Sequence, residues 1–247
     1  MGQVTAQVLG AGDAFGSGGR FQACISIRAA GGHVLLDCGA SSLVAMKQRG
    51  LDPSSVDAVV VSHLHGDHFG GLPFLVLDGQ FSRRVRPLLV AGPPGIAARL
   101  PAAMETLFPG SWAVERRFPL RLIELAARDE TPLLAGFAVT AYAVAHPSGA
   151  PAHALRLAAD ARVIAYSGDT AWTEALLDVA RDADLFLCEA YTLDKPIPHH
   201  LSYATLRQHR PRLTCRRLLL THVGPELLAR RAEVDDEIAE DGLMVQC

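Results

Sequence analysis

The chain has 247 residues, 49% of them apolar and 20% charged, a balance that supports a large buried core and excludes a disordered polymer. Its net charge is -3, from 23 basic and 26 acidic residues without a long block of one sign. This argues against extended nucleic-acid binding, which needs clustered cations.

The N-terminal MGQVTAQVLGAG carries no basic flank before an apolar stretch, so no secretory leader is expected. The Gly-rich segment at 10–20 lacks the Lys-Ser/Thr pair of a nucleotide cradle; it is expected to shape one wall of a site, with Arg20 meeting an anionic substrate. VLLD at 34–37 reads as a buried strand, with His33 before it a surface residue. SSLVAMKQRG from Ser41 reads as a helix that Gly50 ends, and AVVVSH at 58–63 as the next strand. Arg83, Arg84 and Arg86 read as a solvated loop.

The Pro- and Gly-rich stretch from Pro87 to Pro119 resembles a linker, but IAARLPAAMETLF within it has helical periodicity. It is therefore expected to be a helix with its loops, inside a single domain spanning 1–247. Further strands are read in VIAYSGD (163–169), LFLCEA (185–190) and LLLTH (218–222), with helices from Thr170, after Ser202 and from Pro225. His209 is expected at the surface. Strands alternating with helices make an α/β protein, and the likeness of VVVSH to LLLTH hints at a duplicated αβ unit. Five cysteines without a CxxC pair fit reduced thiols and a cytoplasmic location. No apolar run reaches the ~18 residues that span a bilayer.

The chemistry concentrates in SHLHGDH, Ser62 to His68, where His63, His65, Asp67 and His68 crowd behind a strand. Buried imidazoles and carboxylates without partners are unfavourable, and a divalent cation gives each a strong one. Gly66 lets the chain turn so that alternate side chains converge.

On these residues the sequence resembles the metallo-β-lactamase superfamily, in its ribonuclease Z-like and phosphodiesterase branch. His146 in VAHP, Asp169 in YSGDT and His222 in LTHVG match the single histidine, aspartate and final histidine of that family. The resemblance implies a four-layered αββα sandwich. It also implies that His63, His65 and His146 hold one metal, that Asp67, His68 and His222 hold the other, and that Asp169 bridges them. By spacing alone His153 competes with His146. Asp37 in LLDCG also has a family match, as the partner fixing the histidine loop, with a plain turn aspartate as the alternative. His200 in HHLS matches the family's proton-donating histidine, with His199 its competitor.

Two divalent ions, zinc with manganese or iron as alternatives, would support hydrolysis of a phosphodiester, with Asp67 and His200 in the proton transfers. The expected substrate is an anionic, small or cyclic phosphodiester. Ribonuclease Z carries a tRNA-clasping arm between the positions matching His146 and Asp169, and only 22 residues intervene here. Other ester classes (lactone, thioester, aryl sulfate), tRNA 3′-end processing and a non-catalytic metal-binding sensor are the alternatives. Helices such as 96–108 could form a homodimer face.

Overall fold

The computed structural model describes residues 3–247; Met1 and Gly2, which begin the segment read above for a leader, lie outside the described residues. The chain runs through β1 (Thr5–Gly10), β2 (Cys24–Ala29), β3 (Gly32–Leu36), α1 (Ser42–Gln48), β4 (Ala58–Val60), α2 (Gly66–Phe69), α3 (Leu72–Phe81), β5 (Leu88–Gly92), α4 (Ile96–Leu107) and β6 (Leu120–Glu124). It continues through β7 (Glu130–Leu134), β8 (Phe137–Ala143), β9 (His153–Ala159), β10 (Arg162–Tyr166), α5 (Ala175–Ala180), β11 (Leu185–Glu189), α6 (Tyr203–His209), β12 (Leu218–Thr221), α7 (Pro225–Ala229), β13 (Glu237–Ile238) and β14 (Met244–Gln246).

Two mixed sheets result, ordered β14-β1-β2-β3-β4-β5-β6 and β13-β12-β11-β10-β9-β8-β7. Strands β3 to β6 pair in parallel, as do β10 to β13. Because parallel strands are covered on both faces, they read as continuous apolar runs. Alternate residues still separate by face: Val34, Leu36, Ala58 and Val60 enter the core between the sheets with Ile164, Leu187 and Leu219. Leu35 and Val59 face outward onto Met46 of α1, Leu75 of α3 and Leu100 of α4. On the other sheet, Phe186 and Leu220 face outward onto Val179, Leu206 and Leu227 of α5, α6 and α7. The layers are helix, sheet, sheet, helix, as the αββα expectation requires. No helix among the described residues is long and apolar enough to cross a membrane.

The expected strands at 34–37, 58–63, 163–169, 185–190 and 218–222 correspond to β3, β4, β10, β11 and β12, and the helix in 96–108 is α4. The VVVSH and LLLTH echo falls on β4 and β12, one in each sheet.

Three local expectations are overturned. The helix read from Thr170 begins only at Ala175, because Thr170 N donates to Glu189 (2.8 Å) and its hydroxyl accepts from Ala145 N (3.1 Å). Arg84 is buried at 4% exposure instead of solvated. Its guanidinium donates to the carbonyls of Pro53, Val56, Arg86 and Pro87, where the chain turns into β5. His33 is buried between the hydroxyls of Ser26 (2.8 Å) and Ser55 (3.0 Å), and desolvation lowers its pKa to about 4.

Candidate metal centre

Strand ends deliver the site residues to one rim, as open α/β sheets do at their carboxyl ends. Asp37 follows β3, His63 and His65 follow β4, and His146 follows β8; Asp169 follows β10 and His222 follows β12. His65 takes the N-cap position of α2, whose single turn carries Asp67 and His68. The segments from the two sheets thus face each other across the rim.

The nitrogens of His63, His65 and His146 form one group, and the donor atoms of Asp67, His68, Asp169 and His222 a second. His146 Nε2 lies 3.0 Å from His65 Nδ1. Since His146 Nδ1 donates to His199 O (3.0 Å), Nε2 is the nitrogen turned toward His65. Asp67 Oδ2 lies 3.2 Å from both His68 Nε2 and His222 Nε2. Asp169 reaches both groups: Oδ1 is 3.2 Å from His68 Nε2, while Oδ2 is 3.4 Å from His222 Nε2, 3.9 Å from His63 Nε2 and 4.0 Å from His146 Nε2.

His63 Nε2, His68 Nε2 and Asp169 Oδ1 are buried without a hydrogen-bond partner. Buried polar atoms are seldom left so, and convergent imidazole and carboxylate donors suit divalent metal ions. The charges make the same point. Burial opposes charging His222, yet Asp169, Asp67 and Glu189 lift its pKa to about 10. Burial likewise opposes charging His68, and Asp169 and Asp37 still raise its pKa. Asp169 and Asp67 are held below the usual carboxylate range, against burial, by these imidazoles. His63, where burial dominates, is lowered. Protons on His68 and His222 thus do the balancing that a cation would do.

Two buried carboxylates brace the cluster from behind. Asp37 accepts from Ser62 N and Ser62 Oγ (both 2.7 Å) and from His68 Nδ1 (2.6 Å), which fixes the ring plane and leaves Nε2 facing the cluster. Asp37 and His222 both adopt left-handed backbone, at φ 58° and 54°. Such strain persists where surrounding structure over-determines it. The second carboxylate, Glu189, escaped the sequence reading. It accepts Thr170 N (2.8 Å) and Leu201 N (3.3 Å) and pairs closely with His200 Nδ1. Its signal was an apolar run, LFLC, ending in a carboxylate, the same pattern as VIAYSGD.

His200 is part-buried beside the cluster, with Nδ1 4.0 Å from Asp169 Oδ2; burial lowers its pKa, and the bond to Glu189 outweighs this to give a net rise. His199 contributes its backbone carbonyl to His146. His153, the spacing competitor of His146, lies at the start of β9 outside both donor groups. Arg20 is paired with Glu240 (2.9 Å) and lines a depression that contains none of the donor residues. A cavity of about 300 Å³ opens onto the cluster, lined by His65, Asp67, His146, Asp169, His200 and His222 together with Ala14, Phe15, Tyr191 and Ile197.

Comparison with known proteins agrees with this architecture. The ribonuclease Z of Lachnospira eligens is 25% identical over 268 residues, covering 88% of this chain and 86% of that protein. That of Agathobacter rectalis is 33% identical over 127 residues, and the match takes in 51% of this chain but only 40% of the relative. The metallo-β-lactamase fold protein YhfI of Bacillus subtilis superposes with a TM-score of 0.81 at 17% identity over the whole of both chains. Residues 4–240 match the family described as Anti-Pycsar protein Apyc1, and the chain belongs to that family, within the ribonuclease Z-like branch of the metallo-β-lactamase superfamily.

Proposed function

We propose that this protein is a dinuclear metal-dependent phosphodiesterase acting on a small or cyclic phosphodiester. The observation that carries the reading is that His200, hydrogen-bonded to the buried Glu189, borders the same 300 Å³ cavity as the donor cluster. A proton donor and a metal set meeting in a space at the small end of ligand pockets favour a compact substrate.

In this reading His63, His65 and His146 would hold one ion and Asp67, His68 and His222 the other, with Asp169 available to both; zinc, manganese and iron all suit such donors. Bound divalent ions supply Lewis acidity toward phosphoryl oxygens and bring the pKa of water toward neutrality. Asp67 orients the attacking water and takes its proton. His200 gives a proton to the departing oxygen from Nε2, because Nδ1 is engaged by Glu189. Glu189 favours the doubly protonated ring, which carries Nδ1–H toward the carboxylate and the Nε2 proton that is given up, and it fixes the ring angle.

The relatives named ribonuclease Z make RNA processing the second reading. Against it, the segment between His146 and Asp169 is taken up largely by the paired strands β9 and β10, and the net charge is negative. The test is to strip the protein of metal, reload it with zinc or manganese, and offer bis(p-nitrophenyl) phosphate, a six-membered cyclic phosphodiester and a tRNA precursor with a 3′ trailer. Metal-dependent hydrolysis of the small diesters is expected. Cleavage of the precursor alone would transfer the assignment to RNA processing, and inactivity with two ions bound would favour a sensor.

A further inference from the structure

Phe15 has no part in the chemistry above, yet it borders the cavity. Its ring is 86% exposed. A single exposed apolar side chain needs no explanation in general; here the backbone beneath it is fixed, so the ring is presented from a defined point on the cavity rim. Asp13, itself 1% exposed, accepts from Phe15 N (3.3 Å), Ser17 N (2.8 Å) and Ser17 Oγ (2.7 Å). Gln22 Nε2 donates to Ala14 O (3.0 Å), and Gly12 N to Phe21 O (2.8 Å). Gly16, at φ 68°, allows the sharp turn that follows.

The remainder of the lining is already committed. The polar wall is the donor cluster with His200. Tyr191 is locked in place, with its ring 5.0 Å from that of His200 and 6.0 Å from that of His222. It also packs on Gly224, where an added Cβ would lie 2.9 Å from Tyr191 Cε2. Phe15, by contrast, stands between two open spaces: the cluster cavity, and a depression of about 400 Å³ lined by Ala14, Gly16, Arg20, Gln22 and Ser41.

We propose that Phe15 is a specificity-determining residue that stacks against a planar, unsaturated ring on the substrate while the phosphoryl group lies at the donor cluster. The inference deepens the phosphodiesterase reading and rests on it for the position of the phosphoryl group. A rigid aromatic with two rotatable bonds selects flat partners by offset stacking, with little conformational entropy to lose.

The experiment compares phenyl phosphate with cyclohexyl phosphate, which share charge and similar size but differ in planarity. Binding to the metal-loaded full chain is measured by calorimetry, so the readout does not depend on turnover. The wild type is expected to bind phenyl phosphate about two- to tenfold more tightly, the range that aromatic pairing supplies. Phe15→Ala and Phe15→Leu should both abolish the preference, and Phe15→Trp should keep it, with metal content and melting temperature unchanged throughout. Equal binding of the two esters by the wild type would overturn the proposal, as would a preference surviving in Phe15→Leu. Turnover of phosphodiesters, followed in parallel, separates the two ideas. A preference that is lost on Phe15→Ala in a protein that hydrolyses no diester upholds the ring contact and removes the phosphodiesterase reading. Turnover with equal binding removes the ring contact alone.

Discussion

At the scale of single residues, the site depends on which nitrogen of each imidazole is left free. His68 and His200 each give Nδ1 to a buried carboxylate, Asp37 and Glu189, which leaves Nε2 as the free nitrogen; that of His68 faces Asp67 and Asp169. For His200 this leads to a kinetic prediction. His200→Ala should keep its bound metal while losing roughly 100-fold or more in turnover of diesters with alkyl leaving groups, and under about tenfold with p-nitrophenolate, which leaves without a proton. Metal analysis and a leaving-group series check it; equal losses on both would remove the proton-donor role. His33 gives a pH prediction away from the metal. Its pKa is lowered from 6.5 to about 4, so between those values the unfolded chain binds the more protons. Its contribution to stability is therefore complete above pH 6.5 and is lost as the pH falls toward 4, amounting to about 3 kcal/mol. Urea titrations of metal-free protein at pH 7 and pH 4.5 should show His33→Gln losing less stability on acidification than the wild type.

At the scale of elements, the loops that feed the strands matter as much as the strands. Arg84 gathers four carbonyls from the turns before β4 and β5, and its planar fork of donors reaches several acceptors at once. Removing it leaves buried acceptors unpaired, so Arg84→Ala should destabilise the fold by about 3 kcal/mol. Arg84→Lys should recover only part of this, since an ammonium lacks the fork. A chemical denaturation midpoint unchanged in Arg84→Ala would show that water replaces the guanidinium. A triplet of arginines in a loop has the sequence signature of a solvated patch; only the backbone around Arg84 shows that its carbonyls lack other donors. The segment after Thr170 is similar, because its amide bonds to Glu189 from a different strand and the periodicity of the sequence carries no trace of that partner.

At the scale of the molecule, the donor cluster ties the two sheets together. His63, His65, Asp67 and His68 follow the first sheet's β4, and His146, Asp169 and His222 follow strands of the second. Ions bound by both halves stabilise the folded state by mass action, about 2.7 kcal/mol at a hundred times the dissociation constant. For a chain of this length that corresponds to a melting temperature about 5–10 °C lower after chelation. Differential scanning calorimetry with and without chelator tests this, and an unchanged transition would mean that the cluster holds no metal. Metal uptake should also release protons, because His68 and His222 are raised by their carboxylate neighbours and must deprotonate to act as ligands.

The sequence by itself determined the apolar runs that become β3, β4, β10, β11 and β12, since strands buried on both faces need little but hydrophobicity. It also singled out His63, His65, Asp67 and His68, since so dense a set of imidazoles and carboxylates has few uses other than a cation; His146, Asp169 and His222 came from the family resemblance. Only the tertiary structure places His146, and not His153, beside His65; both lie a short way beyond β8, so spacing could not separate them. It alone revealed Glu189, buried His33 and buried Arg84. Their partners lie between 2 and 31 residues away, and hydrogen bonds set by chain packing leave no periodic mark in the sequence.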